Sequence, residues 1–70
     1  MKLLNYIKLI ELLKEGPRTI GEICEALNLP KNTVNYMISV LKREGLVECT
    51  YEKRGQNIHK VVIYHEDRHN

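Results

Sequence analysis

The sequence has no tryptophan or phenylalanine, and only two cysteines and two prolines. Its aromatic residues are four tyrosines, too few for the stacking surfaces that usually bind single-stranded nucleic acid or RNA. Two distant cysteines, Cys24 and Cys49, do not make the disulfide framework of a small secreted domain, so we expect buried free thiols. No apolar run approaches the roughly 20 residues that span a bilayer, and no signal-peptide cleavage site is present. These absences favour a cytoplasmic protein that does not enter a membrane.

The common sequence patterns of catalysis are also missing. There is no glycine-rich phosphate loop, no Ser, His and Asp ordering, and no pair of carboxylates in an enclosed setting. Seventy residues form one domain at most, with a core too small to leave much room for a pocket. We therefore predict no enzyme activity, no cofactor and no small-molecule ligand.

The charges are nearly balanced overall but unevenly placed. The formal net charge is +2, yet residues 30–43 and residues 53–60 each contain three cations and no acid. Such local patches are typical of a cationic surface that meets nucleic acid, although ordinary solvated surface is the alternative.

Three amphipathic segments predict three helices. The first, over residues 2–15, has an apolar face and ends at Gly16-Pro17; the face comprises Leu3, Tyr6, Ile7, Leu9, Ile10 and Leu13. The second begins after Thr19, which forms a capping box with Glu22, and it ends at Asn28. The third, over residues 31–44, directs four apolar side chains inwards, namely Val34, Met37, Ile38 and Leu41.

The second and third helices are separated by residues 28–30 alone, which predicts the steep crossing of a helix-turn-helix. After Gly45 the pattern alternates, so residues 46–52 and 58–64 predict two strands joined by a polar turn at 53–57. In the first strand this alternation places Val47, Cys49 and Tyr51 on one side. The predicted fold class is α+β, a three-helix winged helix-turn-helix with a two-stranded β-hairpin wing.

The stretch of residues 19–47 resembles the winged helix-turn-helix regulators, with the MarR-like and ArsR-like groups nearest. The resemblance lies in a pattern that matches without a gap, formed by Leu27-x-Leu29, Thr33-Val34, Leu41 and Gly45-Leu46-Val47. It implies a domain over residues 1–66 with a polar tail at 67–70. It also implies a transcription regulator that binds double-stranded DNA sequence-specifically and acts by occlusion (as a repressor) or recruitment at a promoter.

The exposed side of the third predicted helix carries polar groups suited to reading DNA. A helix fits the major groove, where asparagine can pair with adenine and serine or tyrosine can bond bases or phosphates. A solvated helix surface with no binding role would favour the stronger helix formers Glu, Lys and Ala instead. This composition and the resemblance together predict DNA contacts along the helix. Lys42 and Arg43 would contact the DNA backbone, and the full set is Lys31, Asn32, Thr33, Asn35, Tyr36, Ser39, Lys42 and Arg43.

The hairpin turn is expected to act as the wing. Lys53, Arg54 and Gln56 would contact DNA there, because in the family a wing arginine commonly reaches the minor groove or a flanking phosphate. A charged turn can equally be a solubility feature. Arg18, close to the start of the second helix, is a further candidate for phosphate binding.

The sequence departs from the family in two places. Pro30 stands where a serine often caps the recognition helix, and the chain stops soon after the wing, without the long C-terminal dimerisation helices of the MarR-like group. We therefore expect a homodimer seam along the first helix at Leu4, Leu9 and Leu12, the alternative being a broad core face. A dimer would double the DNA contacts, which a module of this size needs for specificity.

Two other function classes stay open. A winged-helix module that binds another protein would use an apolar patch at Leu4, Leu12 and Val40 and would show no salt-dependent DNA binding. A metal sensor would need the scattered set of His59, His65, His69, Asp67 and Cys49. Their spacing lacks the compact pattern of such sites, so no metal site is predicted.

Overall fold

The computed structural model describes residues 3–65, and residues 1–2 and 66–70 lie outside the described range. The elements follow in the order α1 (Leu3–Lys14), β1 (Arg18–Thr19), α2 (Ile20–Leu27), α3 (Lys31–Arg43), β2 (Val47–Arg54) and β3 (Asn57–Tyr64). The domain boundary at residue 66 and the tail at 67–70 therefore fall outside the described residues. In the described part of the chain, no helix is long and apolar enough to cross a membrane.

The predicted α+β winged helix-turn-helix is confirmed, with three helices followed by the antiparallel β2–β3 hairpin. The sheet has one strand more than predicted, in the order β1-β3-β2. In β1, Arg18 pairs with Val62 and Thr19 with Val61. Two residues are too few to show an alternating pattern, so this strand is defined only by its pairing with β3.

Local chemistry sets both ends of α2. The Thr19 hydroxyl accepts a bond from the Glu22 amide at 3.1 Å, and the Thr19 amide donates to Glu22 Oε1 at 2.9 Å. These reciprocal bonds form the predicted capping box. At the other end Asn28 is left-handed, with φ 57°, a conformation that asparagine tolerates better than most residues. The chain thereby turns at once into α3.

One apolar cluster forms the core, and every helix and the hairpin contribute to it. Its buried side chains are Leu9, Leu13, Ile23, Val34, Met37, Ile38, Leu41, Val47 and Val62. All four side chains predicted to face inwards from α3 are among them. Cys24 and Cys49 are free thiols at the edge of this core, half-buried and not fully interior.

The predicted dimer seam on α1 is wrong at Leu9. This side chain is 0% exposed and lies in the core of the single chain, so a partner cannot reach it. Leu12 is half-buried and packs against the core, whereas Leu4 is exposed. The apolar face predicted for this helix also extends too far, because Leu3 and Ile7 are exposed. The core covers only the C-terminal half of α1 fully.

The hairpin strands are longer and the turn is shorter than the alternation predicts. Arg54 pairs with Asn57, so only Gly55 and Gln56 form the turn, and Gly55 supplies the positive φ of 64° that it needs. Lys53 and Arg54 therefore lie in β2 and not in the turn. Tyr51 lies on the same side of β2 as the buried Val47, yet it is 71% exposed because the hairpin extends beyond the helices.

Replacing a buried leucine of α1 should cost far more stability than replacing an exposed one. We expect Leu9→Ala to lower the free energy of unfolding by about 2–5 kcal/mol, since it leaves a cavity in the core. Leu4→Ala is the matched control and should change it by about 0.5 kcal/mol or less in dilute solution. Urea denaturation followed by circular dichroism measures both, and equal losses would contradict the packing described above.

Candidate nucleic-acid interface

The exposed side of α3 is a continuous polar stripe. Asn32, Asn35, Tyr36 and Ser39 all lie on the side opposite the four buried apolar residues, and all are exposed. Their spacing of three and four residues places them on neighbouring turns of one face. Thr33 lies at the edge of this face and is half-buried. The structure therefore brings the predicted base-reading groups together on one surface.

The two ends of α3 differ in charge. The first turn contains Lys31 and no acidic residue, and Pro30 at the cap makes no side-chain hydrogen bond, so the backbone amides there have no side-chain cap. An N-terminal helix end in this state attracts anions. Lys42 and Arg43 occupy the last turn, where cations also stabilise the helix against its own dipole. These two residues thus have a structural role whether or not they meet DNA.

Arg54 is held by two carboxylates within the chain. Its Nη1 donates to Glu22 Oε2 at 2.9 Å, and its Nε and Nη2 donate to Glu52 Oε1 at 3.3 and 3.1 Å. Glu22 is the capping-box residue of α2, so one carboxylate both caps that helix and holds the wing strand. The arginine charge is compensated in this structure, which favours a positioning role over the predicted DNA contact.

The same contacts shift the ionisation of Glu22. Its pKa is lowered from the ordinary value of 4.5, because the Thr19 amide and then the Arg54 guanidinium donate hydrogen bonds to the carboxylate. The pKa of Arg54 is raised by its bonds to Glu22 and Glu52. Both groups are therefore charged at neutral pH and tie the wing to the helix-turn-helix.

Arg18 is also engaged inside the chain. Its Nη1 donates to the Gly16 and Pro17 carbonyl oxygens, each at 3.2 Å, and its Nη2 lies 3.4 Å from Glu15 Oε1. The guanidinium closes the loop between α1 and β1. Its predicted phosphate contact stays a prediction, and the observed bonds explain its presence without DNA.

The remaining wing cations are differently placed. Lys53 and Lys60 are exposed, and within residues 3–65 neither lies within ion-pair distance of a carboxylate. Gln56 is exposed in the turn. Lys60 is not among the DNA contacts predicted from the sequence, although it belongs to the second basic segment, residues 53–60.

The structure offers no support for the metal-sensor alternative. Over residues 3–65 it contains no group of three His, Cys, Asp or Glu side chains that could hold a metal ion. Asp67 and His69 of the set considered above lie outside the described residues. The surface of the described part of the chain also has no pocket, and the absence of a small-molecule ligand stays a prediction.

The sequence matches one family model. The model for the bacterial regulatory proteins of the arsR family covers residues 7–48, more than half of the chain. The matched range begins within α1 and ends at the start of β2, so it contains α2, the turn and α3. No curated protein sequence matches the chain.

Solved structures share the fold at low sequence identity. The homodimeric winged helix-turn-helix DNA-binding domain of Mb0332 from Mycobacterium bovis, a possible ArsR-family transcriptional regulator, matches with a TM-score of 0.73 and 22% identity over 89% of this chain and 54% of its own. The reduced form of the transcriptional regulator YodB from B. subtilis matches with a TM-score of 0.77 and 20% identity, over 93% of this chain and 63% of its own. A variant of ZitR from Lactococcus lactis, solved in complex with DNA, matches with a TM-score of 0.72 and 18% identity, over 94% of this chain and 44% of its own. The chain thus spans roughly half of these proteins.

The Glu22 contacts predict a pH dependence of stability. Because folding lowers the pKa of Glu22 from 4.5, its contribution is complete above that pH and is lost as the pH falls through the lowered value. We expect the free energy of unfolding of the wild type to fall more steeply between about pH 5 and pH 3 than that of Glu22→Gln. Urea titrations at several pH values measure this. Glu25→Gln on the same helix is the control and should keep the wild-type profile; identical profiles for all three proteins would contradict the assignment.

Proposed function

The chain belongs to the ArsR family of bacterial regulatory proteins, and from this premise we propose that it is a transcription regulator that binds double-stranded DNA sequence-specifically. In the proposed mode, α3 enters the major groove with its polar stripe towards the base edges. Asn32, Asn35 and Tyr36 read bases, and Ser39 bonds bases or phosphates. Binding at a promoter would then repress transcription by occlusion.

The observation that carries this proposal is the composition of the exposed side of α3. The stripe has asparagine, tyrosine and serine where a solvated helix would favour stronger helix formers. Its N-terminal end has a lysine, no acid and no side-chain cap. In a helix-turn-helix it is the N-terminal part of the recognition helix that approaches the bases.

Backbone contacts would hold this helix in register. Lys31 and Thr33 lie near its start, while Lys42 and Arg43 lie in its last turn. Each lysine or arginine that neutralises a phosphate releases counterions and makes binding salt-dependent. Lys53 and Gln56 would add contacts from the wing. Arg54 and Arg18 are not among the proposed DNA contacts, because carboxylates and carbonyl groups of the chain already bind their guanidinium groups.

We also propose that the protein acts as a homodimer through the N-terminal half of α1. Leu3, Leu4 and Ile7 are exposed and lie within one turn of each other, which makes an apolar patch. Leu12 lies further along the helix and is half-buried. Two copies related by a twofold axis would cover the patch. The solved domain of Mb0332 is described as homodimeric, which supports this assembly.

Loss of the base-reading groups should weaken DNA binding. On a labelled duplex selected from a random pool, we expect Asn35→Ala/Tyr36→Ala to reduce affinity at least tenfold, since each good base contact contributes about 1–3 kcal/mol. Fluorescence anisotropy measures the affinity at two salt concentrations. Thr50→Ala, an exposed neutral change on β2, is the control and should alter affinity by about twofold or less. A folded wild type that does not bind at low salt would overturn the proposal.

Charges placed in the α1 patch should separate the protomers. We expect Leu4→Glu/Ile7→Glu to be monomeric at about 50 µM, where the wild type is dimeric, because burial of two carboxylates in an apolar interface is unfavourable. Sedimentation velocity gives the mass of each. Lys8→Glu changes an exposed residue of the same helix and should leave the dimer intact. A monomeric wild type, or a dimeric double variant, would refute this interface.

A further inference from the structure

The middle of α3 contains no charged residue. Residues 32–41 include no lysine, arginine, aspartate or glutamate, although such residues make up 29% of the chain. The cations of this helix stand at its two ends, with Lys31 before the uncharged segment and Lys42 and Arg43 after it. The polar stripe of α3 is therefore neutral over its whole length, from Asn32 to Ser39.

The flanking cations lie beside the stripe or beyond its end. With about 3.6 residues per turn, Lys31 and Lys42 are rotated by roughly 70–90° from the centre of the stripe. Arg43 is in line with the stripe, but it lies about 6 Å beyond Ser39 along the helix axis, at about 1.5 Å per residue. The N-terminal part of a recognition helix approaches the bases, so these three cations are placed for the DNA backbone.

The composition of the stripe decides which base pairs it can identify. In the major groove, guanine is recognised mostly by arginine or lysine, and the amino group of cytosine by aspartate or glutamate. The stripe has none of these residues. Asparagine bonds the N6 amino group and N7 of adenine together, and both Asn32 and Asn35 are exposed. The stripe thus has the side chains that read an A·T pair and lacks those that read a G·C pair.

We propose that the operator of this protein presents two neighbouring A·T pairs to α3, and that Asn32 and Asn35 each bind one adenine. The inference rests on the proposed function and deepens it by naming the bases. Asn32 and Asn35 are three residues apart, and residues at this spacing can contact successive bases when a helix lies in the major groove. Because the stripe is neutral, these contacts supply specificity while the flanking cations supply salt-dependent affinity.

Tyr36 adds to the same preference. It is 55% exposed and follows Asn35 on the stripe. The C5-methyl group of thymine is an apolar group in the major groove, and an aromatic ring can pack against it. Ser39 can bond more than one kind of base, so it does not alter the preference. The stripe thus favours A·T pairs through contacts with both adenine and thymine.

Base substitution in a selected duplex tests the assignment. Selection from a random pool by the full chain should yield duplexes with neighbouring A·T pairs. Replacement of either pair by G·C should lower the affinity about tenfold or more in fluorescence anisotropy. Replacement by inosine·cytosine should lower it equally, because that pair presents the major-groove edge of G·C with the minor-groove edge of A·T. Affinity retained with inosine·cytosine would overturn the assignment and indicate readout of the minor groove or of duplex shape.

Removal of one acceptor atom from adenine links each base to its residue. 7-Deazaadenine lacks N7 and still pairs with thymine, and we expect it to weaken wild-type binding about fivefold at either position. In Asn35→Ala this penalty should vanish at one position and persist at the other. Thr50→Ala, an exposed change on β2, is the control and should keep both penalties. An Asn35→Ala protein that also keeps both would contradict the assignment.

The Asn35→Arg variant gives the sharper test. Arginine bonds O6 and N7 of guanine, so repeated selection should change one of the two A·T pairs to G·C and leave the other as it is. The added charge steepens the salt dependence, so the base preferences are compared at one salt concentration. Circular dichroism verifies that each variant is folded. Continued selection of adenine at both positions would overturn the assignment.

The outcomes separate this inference from the proposed function. If the wild type selects a defined operator that has G·C pairs where substitutions of Asn32 and Asn35 act, the base assignment is overturned and the proposed function stands. A folded wild type that binds no duplex at low salt overturns both.

Discussion

The packing of one side of α3 into a single small core is the constraint on which the rest of the structure depends. Val34, Met37, Ile38 and Leu41 are buried, and the helix cannot rotate without exposing them. The 3.6-residue period then fixes which side chains remain outside. The polar stripe is therefore held in orientation by the core beneath it, as a recognition surface requires.

A second coupling runs through Glu22. One of its oxygens accepts from the Thr19 amide at the start of α2, and the other accepts from Arg54 in β2, 32 residues away in sequence. The helix-turn-helix and the wing are thus joined by one carboxylate, in addition to the short β1–β3 pairing. Charge on this wing is consequently divided between residues that hold the hairpin in place and residues that remain available to a ligand.

The exposed end of α1 follows from the small size of the domain. A core of this size covers the helix around Leu9 and Leu13 and does not extend to Leu3, Leu4 and Ile7. Small domains bury a low fraction of their surface, and association is one way to compensate. The apolar patch and the polar stripe of α3 consist of different residues, so the proposed dimer contact and the proposed DNA contact would not compete.

The sequence by itself determined the order of the three helices and the hairpin, the capping box, the end of α2 at Asn28 and the side of α3 that is buried, because each depends on residues no more than a few positions apart. It also predicted the polar stripe of α3. Only the tertiary structure decided that Leu9 belongs to the core, that β1 is a strand, that the wing turn is Gly55-Gln56 and that Arg54 is paired with Glu22. These features depend on contacts between distant segments. Periodicity gives a face of an element but not how far its neighbours extend over that face, and residue type gives a charge but not its partner.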